Sequence, residues 1–176
     1  MEIIIRKMEA HEAPQTKLFS RKSIVKMKLV LDIENEKLVY AIANVEPPYE
    51  RDIHAEDVEY GFSSNGPAIF FADADGKLAG RIKMIAWWNQ FAYVDDIVVN
   101  PEYRGAGIGR ALLERGIQWA RENNFSGIML ETQDNNVPAC ALYQKLGFVL
   151  SGFDRNVYKA INPNTKETAL YWYLIF

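Results

Sequence analysis

At 176 residues, with 49% hydrophobic residues and a formal net charge of −3, the chain has the length and composition of one globular domain, 1–176, with a sizeable core. The mild acidity and the lack of a lysine/arginine block argue against nucleic acid as a partner, and no apolar run reaches transmembrane length. The single cysteine, Cys140, rules out an intramolecular disulfide, and a small buried apolar role suits it better than a nucleophilic one.

Residues 3–8 read as an opening strand whose apolar stretch is too brief for a signal peptide, so the expected location is cytoplasmic. Residues 11–19 read as a loop leading into a helix. Residues 22–31 fit helix or strand equally, and 38–45 are apolar and β-prone. Pro47-Pro48-Tyr49 is expected to break structure and open a loop. Residues 57–62 form a short acidic stretch. With only His11 and His54 and no clustered ligands, no metal site is expected.

The pattern sharpens from residue 68. Residues 68–72 and 77–86 read as strands joined by an Asp75-Gly76 hairpin turn. A polar break at Trp88-Asn89-Gln90 precedes a strand over 91–99, and Asn100-Pro101 stops it. A helix over 110–124 would bury a stripe of Ala111, Leu112, Gly116, Trp119 and Ala120. A strand over 127–132 and a second helix over 138–146 follow, with Pro138 in the first turn and Gly147 past the end. Residues 148–152 and 169–176 supply further strands, and 158–168 a loop with Asn-Pro-Asn turn chemistry.

Between the strand at 97–99 and the first of these helices lies Arg104-Gly105-Ala106-Gly107-Ile108-Gly109. Helix-start N–H groups lack intrahelical acceptors and carry the positive end of the dipole, and glycines let an anion approach the backbone. The loop is a site for a phosphorylated ligand, although a glycine-rich connection with no ligand has the same look. It lacks the third-glycine placement of a dinucleotide fingerprint and the Lys-Ser/Thr end of a P-loop.

Further along stands Asn136-Val137-Pro138-Ala139-Cys140-Ala141-Leu142-Tyr143-Gln144-Lys145-Leu146-Gly147-Phe148. With Arg104-x-x-Gly107-x-Gly109 before it, the chain resembles the GNAT N-acetyltransferases over about residues 68–153. The stretch Leu130-Glu131-Thr132-Gln133-Asp134-Asn135-Asn136-Val137-Pro138-Ala139-Cys140 and the tail Glu167-Thr168-Ala169-Leu170-Tyr171-Trp172-Tyr173 resemble, more narrowly, the streptothricin acetyltransferases. Residues 1–45 match no motif. The resemblance implies an α/β (α+β) fold: a central mixed, mostly antiparallel twisted sheet flanked by helices, with a V-shaped strand splay at the acyl-CoA site. It implies acetyl-CoA as donor and a primary amine as acceptor, here an amine of a small cationic antibiotic. A protein or metabolite amine, or a non-catalytic acyl-CoA-binding module, are the alternatives. A homodimer is compatible with the sequence.

On this reading the N–H groups of Gly105, Ala106, Gly107, Ile108, Gly109 and Arg110 cradle the pyrophosphate, and Arg104 adds charge. Backbone groups of Ile97, Val98 and Val99 hold the pantetheine arm, with one N–H polarising the thioester carbonyl. Asn136 contacts the cofactor or caps its helix. Tyr143 is the general acid, since a phenol with a pKa of about 10 keeps its proton at neutral pH. Asp95 is the preferred base, because it sits where this family often places an acid leading into the cofactor strand. Asp95, Asp96, Glu131 and Asp134 offer charge to a cationic acceptor, and Trp88, Tyr49 and Tyr171 offer rings. Strand alternation is expected to place Asp95 and Asp96 on opposite faces.

Overall fold

The structure, a computed structural model, describes residues 1–17, 19–51 and 66–176. In chain order its elements are β1 (Ile3–Lys7), β2 (Ser23–Glu34), β3 (Lys37–Arg51), β4 (Ala68–Ala74), β5 (Lys77–Ala86), β6 (Ala92–Val99), α1 (Ile108–Glu122), β7 (Gly127–Gln133), α2 (Val137–Lys145), β8 (Val149–Asp154) and β9 (Ala169–Ile175). Short 3-10 segments cover Ala10–Lys17 and Pro101–Tyr103. The acidic stretch at 57–62 and His54 lie outside the described residues. No helix among the described residues is long and apolar enough to cross a membrane.

Two compact units emerge. The first comprises residues 1–23, 52–128 and 176, and the second 24–51 and 129–175. In the first, β1, β4, β5 and β6 lie side by side in that order, each antiparallel to the next. The β4–β5 hairpin turns on Asp75 (φ 47°) and Gly76 (φ 75°), two consecutive left-handed residues whose twist matches that of the strands they join. Helix α1 covers this sheet with Ile108, Leu112, Leu113, Gly116 and Ala120. The buried stripe thus begins two residues before the expected helix start, and Ala111 and Trp119 sit at its margin.

The close approach of α1 depends on Gly80 of β5. A methyl group there would lie 2.9 Å from the carbonyl oxygen of Val98 and 3.1–3.2 Å from Leu112 and Ile108. The nearest obstacle is backbone and cannot swing aside, so Gly80→Ala is expected to cost about 1–3 kcal/mol as overpacking. For a chain of this size that lowers Tm by roughly 3–10 °C in a thermal melt. An unchanged Tm would show that the helix can ride up freely.

In the second unit, β7, β9 and β8 are neighbours in that order, with β8 antiparallel to β9. Helix α2 ends on Gly147 at φ 88°. Gly147 N–H donates to Gln144 O and Phe148 N–H to Tyr143 O, both at 3.0 Å, which satisfies carbonyls that the helix end would otherwise orphan.

Strands β2 and β3 form a separate two-stranded ribbon, turning on Asn35 and Glu36, both with positive φ. The ambiguous 22–31 segment is therefore a strand. Pro47-Pro48-Tyr49 opens no loop: β3 runs through it to Arg51. In a two-stranded ribbon every strand is an edge, and an edge tolerates residues that donate no N–H. Tyr40 OH donates to Gln144 Oε1 of α2 at 2.9 Å, and Leu29 N–H to Asp134 O at 2.8 Å. These bonds tie the ribbon to the rest of its unit.

Candidate active site

In the first unit, the segment after β6 is built to present backbone N–H groups. Gly105 and Gly107 hold φ of 79° and 89°, values that cost an L-residue strain and glycine none. Space is open at both, since a Cβ added to either meets nothing within 4 Å. Gly107 is the N-cap of α1 and supplies no side-chain cap, and the first turn carries no acidic residue. The first turn's N–H groups and the positive dipole end are thus left to an anion. Arg104, expected to add charge at the loop entry, also has partners there. Its guanidinium donates to the carbonyls of Val99 at 3.2 Å, Lys22 at 2.8 Å and Ser20 at 3.5 Å, so it braces the entry of the loop. Arg110 pairs with Glu114 one turn along, at 2.8 Å.

The acids of β6 depart from alternation. The register against β5 slips between Lys83↔Asp96 and Met84↔Val94, so Asp95 is an extra residue, a β-bulge. Asp95 Oδ2 pairs with Lys83 Nζ at 2.8 Å, and Asp96 Oδ2 with Arg81 at 2.8 Å. Arg81 and Lys83 lie two apart on β5 and share a face, so both carboxylates serve one face. The expectation of opposite faces fails because a bulge turns neighbouring side chains to the same side. Arg21 adds a 2.7 Å contact to Asp96 Oδ1. Both acids are thereby engaged in ion pairs. Trp88 is exposed in the turn before β6, while Trp87 stacks on Tyr93 with ring centroids 4.7 Å apart.

Tyr49, Glu131, Asp134, Asn136, Tyr143 and Tyr171 all fall in the second unit. Tyr143 is buried on α2, its ring 6.0 Å from Phe148 and 6.1 Å from Trp172. Asn136 occupies the N-cap position of α2 but makes no side-chain cap. Its Nδ2 donates to Thr132 Oγ1 at 3.3 Å, so of its two expected roles the cap is not taken. Asp134 is buried, accepts the Thr168 N–H at 3.2 Å, and has its carboxyl pushed up by that burial.

Glu131 is half-buried and receives a hydrogen bond from the Tyr158 phenol. Burial pushes its carboxyl above the usual range, against the lowering effects of Tyr158 and Arg51. Tyr171 is also raised, by burial first and then by the Glu131 charge. Beside them, Arg51 Nε pairs with Glu167 Oε1 at 2.7 Å, and Asn135 Nδ2 donates to Glu167 Oε1 at 2.7 Å and to Tyr49 OH at 2.9 Å. Sequence reasoning missed Arg51, Asn135, Tyr158 and Glu167 as site residues. Arg51 and Glu167 are 116 positions apart, and no local pattern links residues so distant. Cys140 is buried, its thiol pushed up to about 12, which agrees with an inert packing role.

Residues 33–148 match the model of the acetyltransferase (GNAT) family. The chain belongs to the GNAT family. It is 35% identical over 150 residues to streptothricin acetyltransferase A of Bacillus subtilis, covering 85% of this chain and 86% of that one. It is 41% identical over 126 residues to a streptothricin acetyltransferase of Escherichia coli, covering 72% and 70%. A Bacillus anthracis protein assigned as a streptothricin acetyltransferase, solved with acetyl coenzyme A bound, superposes with a TM-score of 0.87 at 38% identity over 99% of this chain and 100% of that one.

This GNAT protein is therefore an acetyl-CoA-dependent N-acetyltransferase with the family's mixed sheet flanked by two helices. Its residues fit the donor. The open glycine turn and uncapped helix start suit a pyrophosphate, and β6, a few residues before that turn, suits the amide-rich pantetheine arm.

Proposed function

We propose that the protein acetylates streptothricin on a primary amine of its β-lysine arm and so confers resistance to that antibiotic. The match to streptothricin acetyltransferases, with 85% of the chain aligned to the Bacillus subtilis enzyme, carries the reading. The carboxylates and phenols of the second unit (Glu131, Asp134, Tyr49 and Tyr171) support a polycationic acceptor. The reaction belongs in the cytoplasm, where the donor is made.

When bound, acetyl-CoA supplies an electrophilic thioester carbonyl and a thiolate leaving group. The N–H groups of residues 105–110 hold its pyrophosphate, with Arg104 keeping the loop in place. Backbone groups of Ile97, Val98 and Val99 hold the pantetheine arm, and the N–H of Ile97 or Val98 hydrogen-bonds the carbonyl oxygen as negative charge develops there. Asn136 steadies the arm from the start of α2. Tyr143 hands its phenolic proton to the departing sulfur.

The test is thiol release by the purified protein with streptothricin, polyamines, aminoglycosides and lysine-containing peptides in parallel. Streptothricin is expected to give a kcat/KM at least about tenfold above any other amine, a preference of about 1.4 kcal/mol in the transition state. Faster turnover of a lysine peptide would move the assignment to protein acetylation. Acetyl-CoA binding with no turnover on any amine would overturn it.

A further inference from the structure

A short piece of the N-terminal segment, which carries no recognisable motif, is fastened to both ends of β6. On β5, Gly80 meets Leu112 and Ile108 of α1, while Gly116 of α1 meets Ile82 and Met84. Gly80, Ile82 and Met84 thus face the helix, and Arg81 and Lys83 face the other side of the sheet with their partners Asp96 and Asp95. On that side the Phe19 ring lies 6.4 Å from the ring of Phe71 and 5.6 Å from the Arg81 guanidinium. Arg21 Nη1 reaches Asp96 Oδ1 at 2.7 Å. The backbone on either side of Arg21 is held elsewhere. Arg104 donates to the carbonyls of Ser20 and Lys22, and the Ser20 N–H donates to Asn100 Oδ1 at 3.3 Å. Residues 19–22 are therefore stapled to β6 at Asp96 and again just past its end.

Charge balance does not call for Arg21. Arg81 is 3% exposed, and its Nε and Nη2 both donate to Asp96 Oδ2, at 3.1 and 2.8 Å. That pair is already neutral. Held by one oxygen, the carboxylate is still free to turn about its Cβ–Cγ bond. Arg21 takes the second oxygen and fixes the plane. Rigidity is needed at this point, because Asp95 is the extra residue of the bulge and interrupts the ladder that would otherwise hold β6. Alternation along the ladder then gives the next peptide its direction. The Asn100 N–H donates to Ala79 O at 2.9 Å. With Arg81 opposite Val98, this turns the Val98 N–H toward β5 and the Ile97 N–H away from it. The Ile97 N–H belongs to the peptide group that begins at Asp96.

Resting on the reading above that an N–H of β6 bonds the thioester carbonyl, we infer that Arg21 is a positioning residue for acetyl transfer: with Arg81 it clamps Asp96 and so aims the Ile97 N–H at that carbonyl oxygen. Both oxygens of Asp96 are committed to guanidinium groups, so Asp96 acts through the strand and not on the acceptor. A small error in the aim of such a donor is costly, because its bond to the oxygen strengthens only as charge develops there.

The experiment follows the carbon NMR signal of acetyl-CoA labelled at the thioester carbonyl, and it needs no acceptor. On binding to the wild-type protein the signal should move downfield, since a hydrogen bond draws electron density from the carbonyl carbon. Arg21→Met keeps the apolar stem and loses the guanidinium. It is expected to lose at least about half of that shift and about tenfold in kcat on the amine turned over fastest. Affinity for CoA, which has no acetyl carbonyl, should change by less than about twofold, since the loop that takes the pyrophosphate is untouched. Arg21→Lys should recover part of both losses, because a single N–H contact to Oδ1 is all that is asked of it. Arg115→Met is the control. It breaks an ion pair with Glu122 within α1, on the opposite face, and should alter the thermal melt without altering the shift. A wild-type shift in Arg21→Met, whatever its kcat, or an equal loss of shift in Arg115→Met, would overturn the inference and leave the polarising N–H in place. Acetyl-CoA bound to the wild-type protein with no downfield shift would remove that N–H, and the role of Arg21 with it.

Discussion

Replacing Tyr143 by phenylalanine is expected to lower kcat by about 10²-fold, the lower end of what general acid catalysis contributes. KM for acetyl-CoA should change by less than about threefold, because in the proposed mechanism the hydroxyl acts only as the sulfur departs. The substitution is conservative for the fold. The ring keeps its packing on Phe148 and Trp172, and the backbone of residue 143, which accepts the Leu146 and Phe148 N–H groups at 3.1 and 3.0 Å, is untouched. A thermal melt run beside the kinetics separates chemistry from stability. If kcat were unchanged with the melting curve superimposed on wild type, the phenol would have no part in protonating the thiolate.

Gly107→Ala should act on the donor instead. At φ 89° an alanine is strained by about 1 kcal/mol or more. The loop can relieve that strain only by leaving the conformation that bares the first-turn N–H groups. Affinity for acetyl-CoA, measured by titration calorimetry, is expected to fall about tenfold, which corresponds to about 1.4 kcal/mol. Gly76→Ala in the β4–β5 hairpin is the control. Gly76 has a similar φ of 75° and equally open surroundings, so it should lose comparable stability and no affinity. Equal affinities for the two variants would mean that the pyrophosphate rests elsewhere.

Much of the first unit is legible in the amino-acid order, and the reasons are local. Asp75-Gly76 marks a hairpin because that turn needs two left-handed residues, and β5 spans the anticipated residues 77–86. Helix α1 is read two residues late because glycines at 107 and 109 argue against a helix there, whereas Gly107 serves as the left-handed N-cap and Ile108 begins the buried stripe. The ribbon strands are harder. Val25 and Leu29 are buried on β2 while Ile24, Val30 and Ile33 are exposed, so apolar residues fall on both sides and no period of two stands out. The bulge at Asp95 leaves no sequence mark at all, since it is a property of the pairing with β5 and not of β6. The glycine loop stands out by its spacing, whereas Asn136 and Tyr143 are singled out only through the resemblance to the GNAT family. The Glu131–Tyr158 and Arg51–Glu167 contacts were out of reach because they form only when β3, β7 and the segment before β9 come together.

The division into units also bears on synthesis. The second unit is discontinuous: its β2–β3 ribbon comes from residues 24–51, and the rest of it from 129–175. At roughly 5–20 residues per second on a ribosome, the ribbon waits several seconds for the strands and helix that complete its unit. Through that interval it carries open strand edges and the exposed side chains of Ile24, Val30 and Ile42, an invitation to pair with other nascent chains. The lysines set among them, Lys26 and Lys28, place charge on the same strand, the usual guard for an edge that must wait.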